Sequence, residues 1–233
     1  MTSSAPLERL PAPLRRYILH FEASIEDAVV ALAAELPPAA RVLDAGAGEG
    51  RYARFFTHAR YIGIDLAVGD ASWNYSGLDA LADLAALPVR DASFAACLNI
   101  VTLEHVCDPE LVLREIHRVL APGATLLLIV PHEWEVHQAP YDYFRFTRHG
   151  VELLLRRAGF DQFTIRPVGG YFRLLARRLL NGLQFFMRGW RAIALFPAAL
   201  LLVPPAMVIP LFDFLDQERN FTLGYICKAK KRT

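Results

Sequence analysis

The chain has 233 residues, of which 54% are hydrophobic, with 25 Lys and Arg against 24 Asp and Glu and a mean hydropathy of +0.27. Such a length allows one domain with an appendage, and a core that needs no disulfide or metal staple. The apolar content excludes a disordered chain, and the near-zero net charge argues against a general nucleic-acid binder. Three scattered cysteines, Cys97, Cys107 and Cys227, show no ligand spacing. They give no support to a zinc site, read as small buried apolar residues, and fit a reducing cytoplasm.

Residues 1–13 lack a basic cap followed by an apolar run, so they do not read as a secretory signal. Residues 14–36 carry apolar side chains at helical spacing (Tyr17, Ile18, Phe21, Ile25, Val29, Leu32), and Pro37-Pro38 stops them. A short apolar strand, 41–45, runs into glycines, and 52–58 reads as a helix. A second strand, 61–65, ends in a carboxylate; 67–77 is loop-like, and 78–83 is a weak third strand. A fourth strand covers 94–99, a helix 109–120, a buried strand 125–130 and a further helix 147–158 closed by Gly159. Strands alternating with helices imply βαβ units and a parallel sheet, and the unbroken apolar run 126–130 suits a strand covered on both faces.

The stretch Asp44-Ala-Gly46-Ala-Gly48-Glu-Gly50 joins the first strand to the following segment. Glycines there let the backbone approach a ligand. The spacing is G-x-G-x-G, not the G-x-G-x-x-G of dinucleotide sites. Asp44, just ahead of the glycines, would repel a pyrophosphate but suits an amino or sulfonium group. Asp65, at the end of the next strand, can accept both hydroxyls of a ribose.

These residues resemble class I S-adenosylmethionine-dependent methyltransferases. The likeness runs through Val42-Leu-Asp-Ala-Gly-Ala-Gly-Glu-Gly50, Tyr61-Ile-Gly-Ile-Asp-Leu66, Asp83-Leu-Ala-Ala-Leu-Pro88, Asp91-Ala-Ser-Phe94 and Leu103-Glu-His-Val106. It continues into the Leu-Arg-Glu-Ile-His-Arg-Val-Leu-Ala-Pro-Gly run ending at Gly123, which is similar to the small-molecule "type 11" branch. Ala96-Cys97-Leu98 departs mildly from the pattern. The resemblance implies that Asp44, Gly46 and Gly48 surround the methionine end of S-adenosylmethionine. Asp65, with Leu66 beside it, would hold the ribose; Asp83 and Leu84 would lie at the adenine edge; Asn99 and Ile100 would line the methionine or methyl side. It further implies an α/β fold: a Rossmann-like, doubly wound, seven-stranded sheet with the last strand antiparallel. Residues 161–168 and 221–228 would supply the last two strands.

The activated methyl mainly needs an aligned nucleophile and excluded water, with a base for a hydroxyl acceptor. Candidates lie in residues 131–147. His137, oriented by Asp142 or Glu135, is one candidate base and Tyr143 a second candidate; a structural role for either is the alternative. Tyr141 and Arg145 are as well suited to anchoring the loop, and Glu104-His105 to capping the next helix. The resemblance includes the run His137-x-x-Pro-x-Asp-Tyr-Phe-Arg-Phe-Thr147.

The apolar excess sits late in the chain. Residues 162–212 hold six arginines and no acid, while the remainder holds 19 basic and 24 acidic residues. Over 171–190, Phe172, Leu175, Leu179, Leu183, Phe186 and Trp190 recur on one helical side, with Arg173, Arg177, Arg188 and Arg191 opposite, as in an interfacial membrane helix. Residues 192–212 carry no charge, but Pro197, Pro204, Pro205 and Pro210 are expected to break them into short helices. These would dip into one leaflet, form a hydrophobic lid over the acceptor site or make a dimer surface; the length also allows a bilayer span, which the prolines and the returning last strand disfavour.

The domain reading is therefore a core with its N-terminal helix (1–170), a basic, apolar helical insertion (171–215) and a last strand with a basic tail (216–233). The expected activity is methyl transfer to an oxygen of a small-molecule or lipid-linked acceptor, with peripheral contact at the cytoplasmic membrane face and neither metal nor nucleic acid involved. The rival from another class is a cofactor-binding, non-catalytic membrane adaptor.

Overall fold

The computed structural model describes residues 11–70 and 72–233. Residues 1–10, within the stretch read for a signal, and Ala71, within the loop 67–77, lie outside the described residues. The chain forms two compact units. One comprises Ser24–Arg166 and Tyr225–Thr233; the other comprises the described residues up to Ala23 and Pro167–Gly224. The segment up to Ala23, read from sequence as part of the core, thus groups with the apolar insertion.

The first unit is built on seven strands: β1 (Arg41–Ala45), β2 (Arg60–Asp65), β3 (Ala80–Leu81), β4 (Phe94–Ile100), β5 (Leu120–Pro131), β6 (Gln162–Val168) and β7 (Gly224–Lys230). Their order in the sheet is β3-β2-β1-β4-β5-β7-β6. β1 pairs in parallel with both β2 and β4, and β4 with β5. β7 runs antiparallel, and just beyond it Lys231 exchanges backbone hydrogen bonds with the β5 strand, Gly123 N to Lys231 O and Lys231 N to Ala124 O, both 2.9 Å. The order reverses between β1 and β4. Ligands in such sheets bind at that switch, outside the carboxyl ends of the strands.

The strands form where apolar residues run together. Val42, Leu43 and Ala45 of β1 and residues 126–130 of β5 are buried, as sheet strands covered on both faces must be. α3 (Pro109–Val119) packs Val112, Leu113, Ile116 and Val119 into this core. Its start is set by Asp108, which accepts from Leu111 N at 3.0 Å, and by Pro109, whose missing N–H costs nothing in the first turn. α4 (Arg148–Arg157) is capped by Thr147, whose Oγ1 accepts from Gly150 N at 3.0 Å.

Three expectations are corrected here. The helix expected over 52–58 is only a 3-10 turn, Ala53–Phe55, between a glycine loop and a turn at Ala59; the interval is too short to propagate an α-helix. The helix expected over 14–36 is two, α1 (Ala12–Ile18) and α2 (His20–Glu35), parted at Leu19 by its non-helical φ −93°, ψ 52°. The third strand is two residues long because Asp83 turns the chain into a 3-10 helix at Leu84–Ala86.

In the second unit, α5 (Tyr171–Gly182) is followed by 3-10 turns at Leu183–Phe186 and Gly189–Ala194, then α6 (Leu195–Val208) and a 3-10 segment, Ile209–Leu215. α5 has no cap of its own, since Gly170 stands at its N-cap. The acids after α6 serve instead. Asp213, buried, accepts from Gly170 N and Arg173 N at 3.2 and 3.1 Å, and Asp216 accepts from Tyr171 N at 2.7 Å. These are the donors a helix start leaves unpaired.

Two further corrections concern this unit. Arg173 and Arg177, read as part of the polar side of an interfacial helix, face acids of their own unit instead. They are half-buried, facing Asp213 at 3.7 Å and Glu22 at 3.5 Å, while Leu174 and Ala176 are the buried residues of α5. Nor do the central prolines break the apolar stretch, because Pro204 and Pro205 lie inside α6. Each removes one helical donor, from the carbonyls of Leu200 and Leu201.

Candidate functional site

β1 delivers Asp44 to the switch point. The residue is buried, and its Oδ2 accepts the Tyr61 hydroxyl at 2.5 Å from the neighbouring strand. Burial raises the Asp44 pKa from 3.8 to about 7; the Tyr61 hydrogen bond opposes that rise and the Asp65 charge adds to it. Burial and the Asp44 charge in turn push the Tyr61 phenol well above its ordinary range.

Gly46 follows with φ +91°. Its amide donates to Ile64 O at 2.8 Å, tying the loop to β2. A Cβ there would stand 2.2 Å from Thr102 Cγ2, so both backbone angle and space demand glycine. Gly48, at φ +55°, donates its N–H to Asp65 Oδ2 at 2.9 Å, and Ala67 N donates to Asp65 Oδ1 at 2.7 Å. Each oxygen of Asp65 is oriented by one amide and keeps further acceptor capacity for a hydroxyl. Leu66 beside it is exposed.

Asp83 is exposed and caps its 3-10 turn through Ala85 N at 2.9 Å, whereas Leu84 is buried in the core. Asn99 ends β4 fully buried; its Nδ2 donates to Ala45 O at 2.7 Å, and its Oδ1 has no partner among the described residues. Ile100, also buried, closes the strand. Thr102 Oγ1 then donates to Ile100 O at 3.0 Å and lies 3.3 Å from Gly46 O.

Residues 43–128 match the family model for the methyltransferase domain. Over this segment, from β1 to β5, the chain is similar to class I S-adenosylmethionine-dependent methyltransferases. It is 35% identical over 97 residues to a probable S-adenosylmethionine-dependent methyltransferase of Mycolicibacterium smegmatis, covering 39% of this chain and 38% of that protein. A second curated relative is covered over 48% of its length, so the chain spans less than half of both. Among solved structures, the fold resembles the [4+2]-cyclase SpnF (TM-score 0.57, 23% identity, 89% of this chain and 82% of that one). It also resembles the Haemonchus contortus phosphoethanolamine N-methyltransferase 2 in complex with phosphomonomethylethanolamine and S-adenosylhomocysteine (TM-score 0.55, 17% identity, 90% of this chain and 53% of that one).

The loop after β5 folds back onto the end of β4. Tyr143 N and Phe144 N donate to Glu104 O at 2.9 and 3.2 Å, and Phe146 N donates to Pro131 O at 3.0 Å. Arg145 clamps the loop with two bonds to Asp142 (2.7 and 2.8 Å) and others to the carbonyls of Trp134 and Glu135. That pairing holds the Asp142 carboxyl down at about pKa 2. Asp142 Oδ2 also accepts His137 N at 2.8 Å. Tyr143 is exposed at the rim.

His137 does not stand alone. Its Nε2 lies 3.1 Å from His105 Nε2, and both lie 3.8 Å from Glu104 Oε1. Glu104 is 0% exposed, and neither of its carboxylate oxygens has a hydrogen-bond partner among the described residues. Burial pushes its pKa up to about 8. Sequence spacing gave no hint of this trio, because His137 is 32 residues from His105 and only the folded loop joins them. Thr102 and Tyr61 were missed as well. The usable sign for Tyr61 was strand alternation, which puts it on the same face of β2 as Asp65.

Proposed function

We propose that the chain transfers the methyl group of S-adenosylmethionine to an oxygen of a small-molecule or lipid-linked acceptor, working in the cytoplasm at the membrane face. The observation that carries this reading is the cradle of two oriented carboxylates, Asp44 and Asp65, flanking Gly46 and Gly48 at the switch point. In this reading Asp44 faces the amino and sulfonium charges. Asp65, with Leu66 beside it, takes the ribose hydroxyls, and Asp83 and Leu84 border the adenine. Asn99 and Ile100 line the methyl side, Asn99 with a free acceptor oxygen. An acceptor oxygen attacks the methyl carbon in line; the O–C bond forms as the S–C bond breaks, its electron pair stays on sulfur, and the acceptor's proton departs. Effective alignment supplies most of the acceleration. Tyr143 and the histidine pair border the acceptor side.

The membrane part rests on exposure in the second unit. Trp190, Ile193 and Phe196 are 81%, 85% and 78% exposed, within a stretch, Gly189–Leu215, long and apolar enough to cross a membrane. Exposed Arg188 and Arg191 flank Trp190, an arrangement that favours anionic headgroups.

The test uses S-adenosylmethionine with a 13C-labelled methyl and a panel of hydroxyl, carboxyl and amine acceptors, including a lipid extract. The expected product carries its label at an oxygen-bound methyl shift. Label only on nitrogen or carbon sinks the oxygen assignment, and S-adenosylmethionine binding without any transfer favours an adaptor. Flotation with anionic liposomes tests the membrane part: Trp190→Ser with Ile193→Ser and Phe196→Ser is expected to abolish it, and unchanged flotation overturns that part.

A further inference from the structure

We propose that Glu104, His105 and His137 bind a divalent metal ion of the zinc class, leaving one coordination position open on the acceptor side of the fold. The three candidate ligand atoms lie within 4.8 Å of one another. Two nitrogens bound to one tetrahedral zinc at about 2.0–2.1 Å would sit about 3.3 Å apart, close to the 3.1 Å between the two Nε2 atoms. Glu104 Oε1, at 3.8 Å from each, completes a triangle that a small side-chain adjustment closes.

The hydrogen bonds on the far side of each ring fix which nitrogen faces inward. His105 Nδ1 lies 2.7 Å from Tyr141 O, and His137 Nδ1 lies 3.1 Å from Glu135 O. A carbonyl oxygen only accepts, so each Nδ1 carries the proton. In the neutral rings the two Nε2 atoms then face one another at 3.1 Å with no N–H between them, beside the buried Glu104 carboxyl, whose proton a bound cation would displace. A cation between them satisfies all three groups. A carbonyl holding the outer N–H is also the usual support of a metal-bound histidine. Asp142 Oδ2, 3.5 Å from His137 Nδ1 and fixed by Arg145, reinforces it.

Two imidazoles with one carboxylate suit zinc or a neighbouring first-row ion and not magnesium or calcium, which take oxygen ligands. Three protein ligands, not four, mark a site with room for an exogenous oxygen. The trio follows Thr102, which backs onto Gly46, so it lies just past the cofactor loop. The metal's use in catalysis rests on the oxygen-acceptor reading. A coordinated acceptor hydroxyl would lose its proton to solvent near neutral pH, and its oxygen lone pair would attack the methyl. His137 then serves as a ligand and not as a lone base. Metal binding itself does not depend on that reading.

The experiment is titration of the chelator-stripped, full-length protein with Zn2+, followed by calorimetry, with Co2+ absorption as a second measurement on wild type. One equivalent per chain is expected, with a tetrahedral Co2+ spectrum. Glu104→Gln, His105→Asn and His137→Asn should each weaken binding about tenfold or more, while His117→Asn, whose ring packs against Phe160, leaves it unchanged. Absence of a stoichiometric ion on folded wild type overturns the proposal. So does binding that survives all three substitutions, which would place the ion elsewhere, for instance on the cysteines. S-adenosylmethionine is titrated into the same samples: cofactor binding without metal sinks only the metal site, and metal binding without cofactor sinks only the methyltransferase reading.

Discussion

Tyr61 donates its hydroxyl hydrogen to Asp44 across two adjacent parallel strands, with the oxygens 2.5 Å apart. The bond holds the buried Asp44 carboxylate, just ahead of the glycine loop, in a fixed pose. It also moderates a pKa that burial has raised to about 7.

A pH dependence of stability follows from that pKa. Asp44 binds its proton more tightly folded than unfolded, so its stabilising effect is fully present below about pH 4 and is lost as pH rises through 7. Complete loss amounts to something on the order of 2–4 kcal/mol. Thermal melts of the ligand-free protein from pH 4 to 9 should show wild type losing stability across this window relative to Asp44→Asn. Tyr61→Phe, which removes the opposing bond, should move the loss to higher pH. Parallel curves for wild type and Asp44→Asn would refute the assignment.

Cofactor binding should then release a proton. If the cationic end of S-adenosylmethionine sits beside Asp44, the ionised carboxylate is favoured in the complex. Calorimetry at pH 6 in two buffers of different ionisation enthalpy is expected to show release of close to one proton per site by wild type and none by Asp44→Asn.

Gly46 and Gly50 both have positive φ, yet they differ in surroundings. A Cβ at Gly46 collides with Thr102, whereas none at Gly50 meets anything within 4 Å. Gly50→Ala should cost only the backbone strain, about 1–2 kcal/mol. Gly46→Ala should cost clearly more and lose cofactor affinity, and adding Thr102→Ser should recover only the steric share. Denaturant unfolding of the three variants checks the order.

Asp213 caps α5 from 40 residues away and also pairs with Arg219. Asp213→Ala strands these donors and should destabilise the second unit by about 1–3 kcal/mol. Hydrogen exchange of the amides in Tyr171–Gly182 should accelerate in that variant, while the β4 and β5 amides remain protected. Unaltered exchange would mean that the cap contributes nothing.

The glycine loop and the acidic strand ends were legible because they are close in sequence. An apolar strand running into glycines at 46, 48 and 50, followed by another ending at Asp65, leaves few arrangements. What stayed hidden depends on distant partners. Arg173 and Arg177 read as the polar side of an interfacial helix because their partners Asp213 and Glu22 lie 40 and 155 residues away. The Glu104, His105 and His137 group was invisible for the same reason, being closed by a loop whose return is held by Arg145 and Asp142. The expected helix at 52–58 failed differently: only a 3-10 turn forms over Ala53–Phe55, and Phe56, which follows it, is buried.

The most direct measurement of the central claim is calorimetric titration of S-adenosylmethionine into wild type and Asp65→Ala. The cradle predicts one site on wild type and a loss of about tenfold or more in affinity when the ribose-facing carboxylate is removed, at about 1.5–3 kcal/mol for charge-assisted hydrogen bonds. No binding to folded wild type, or equal affinity in Asp65→Ala, would contradict it.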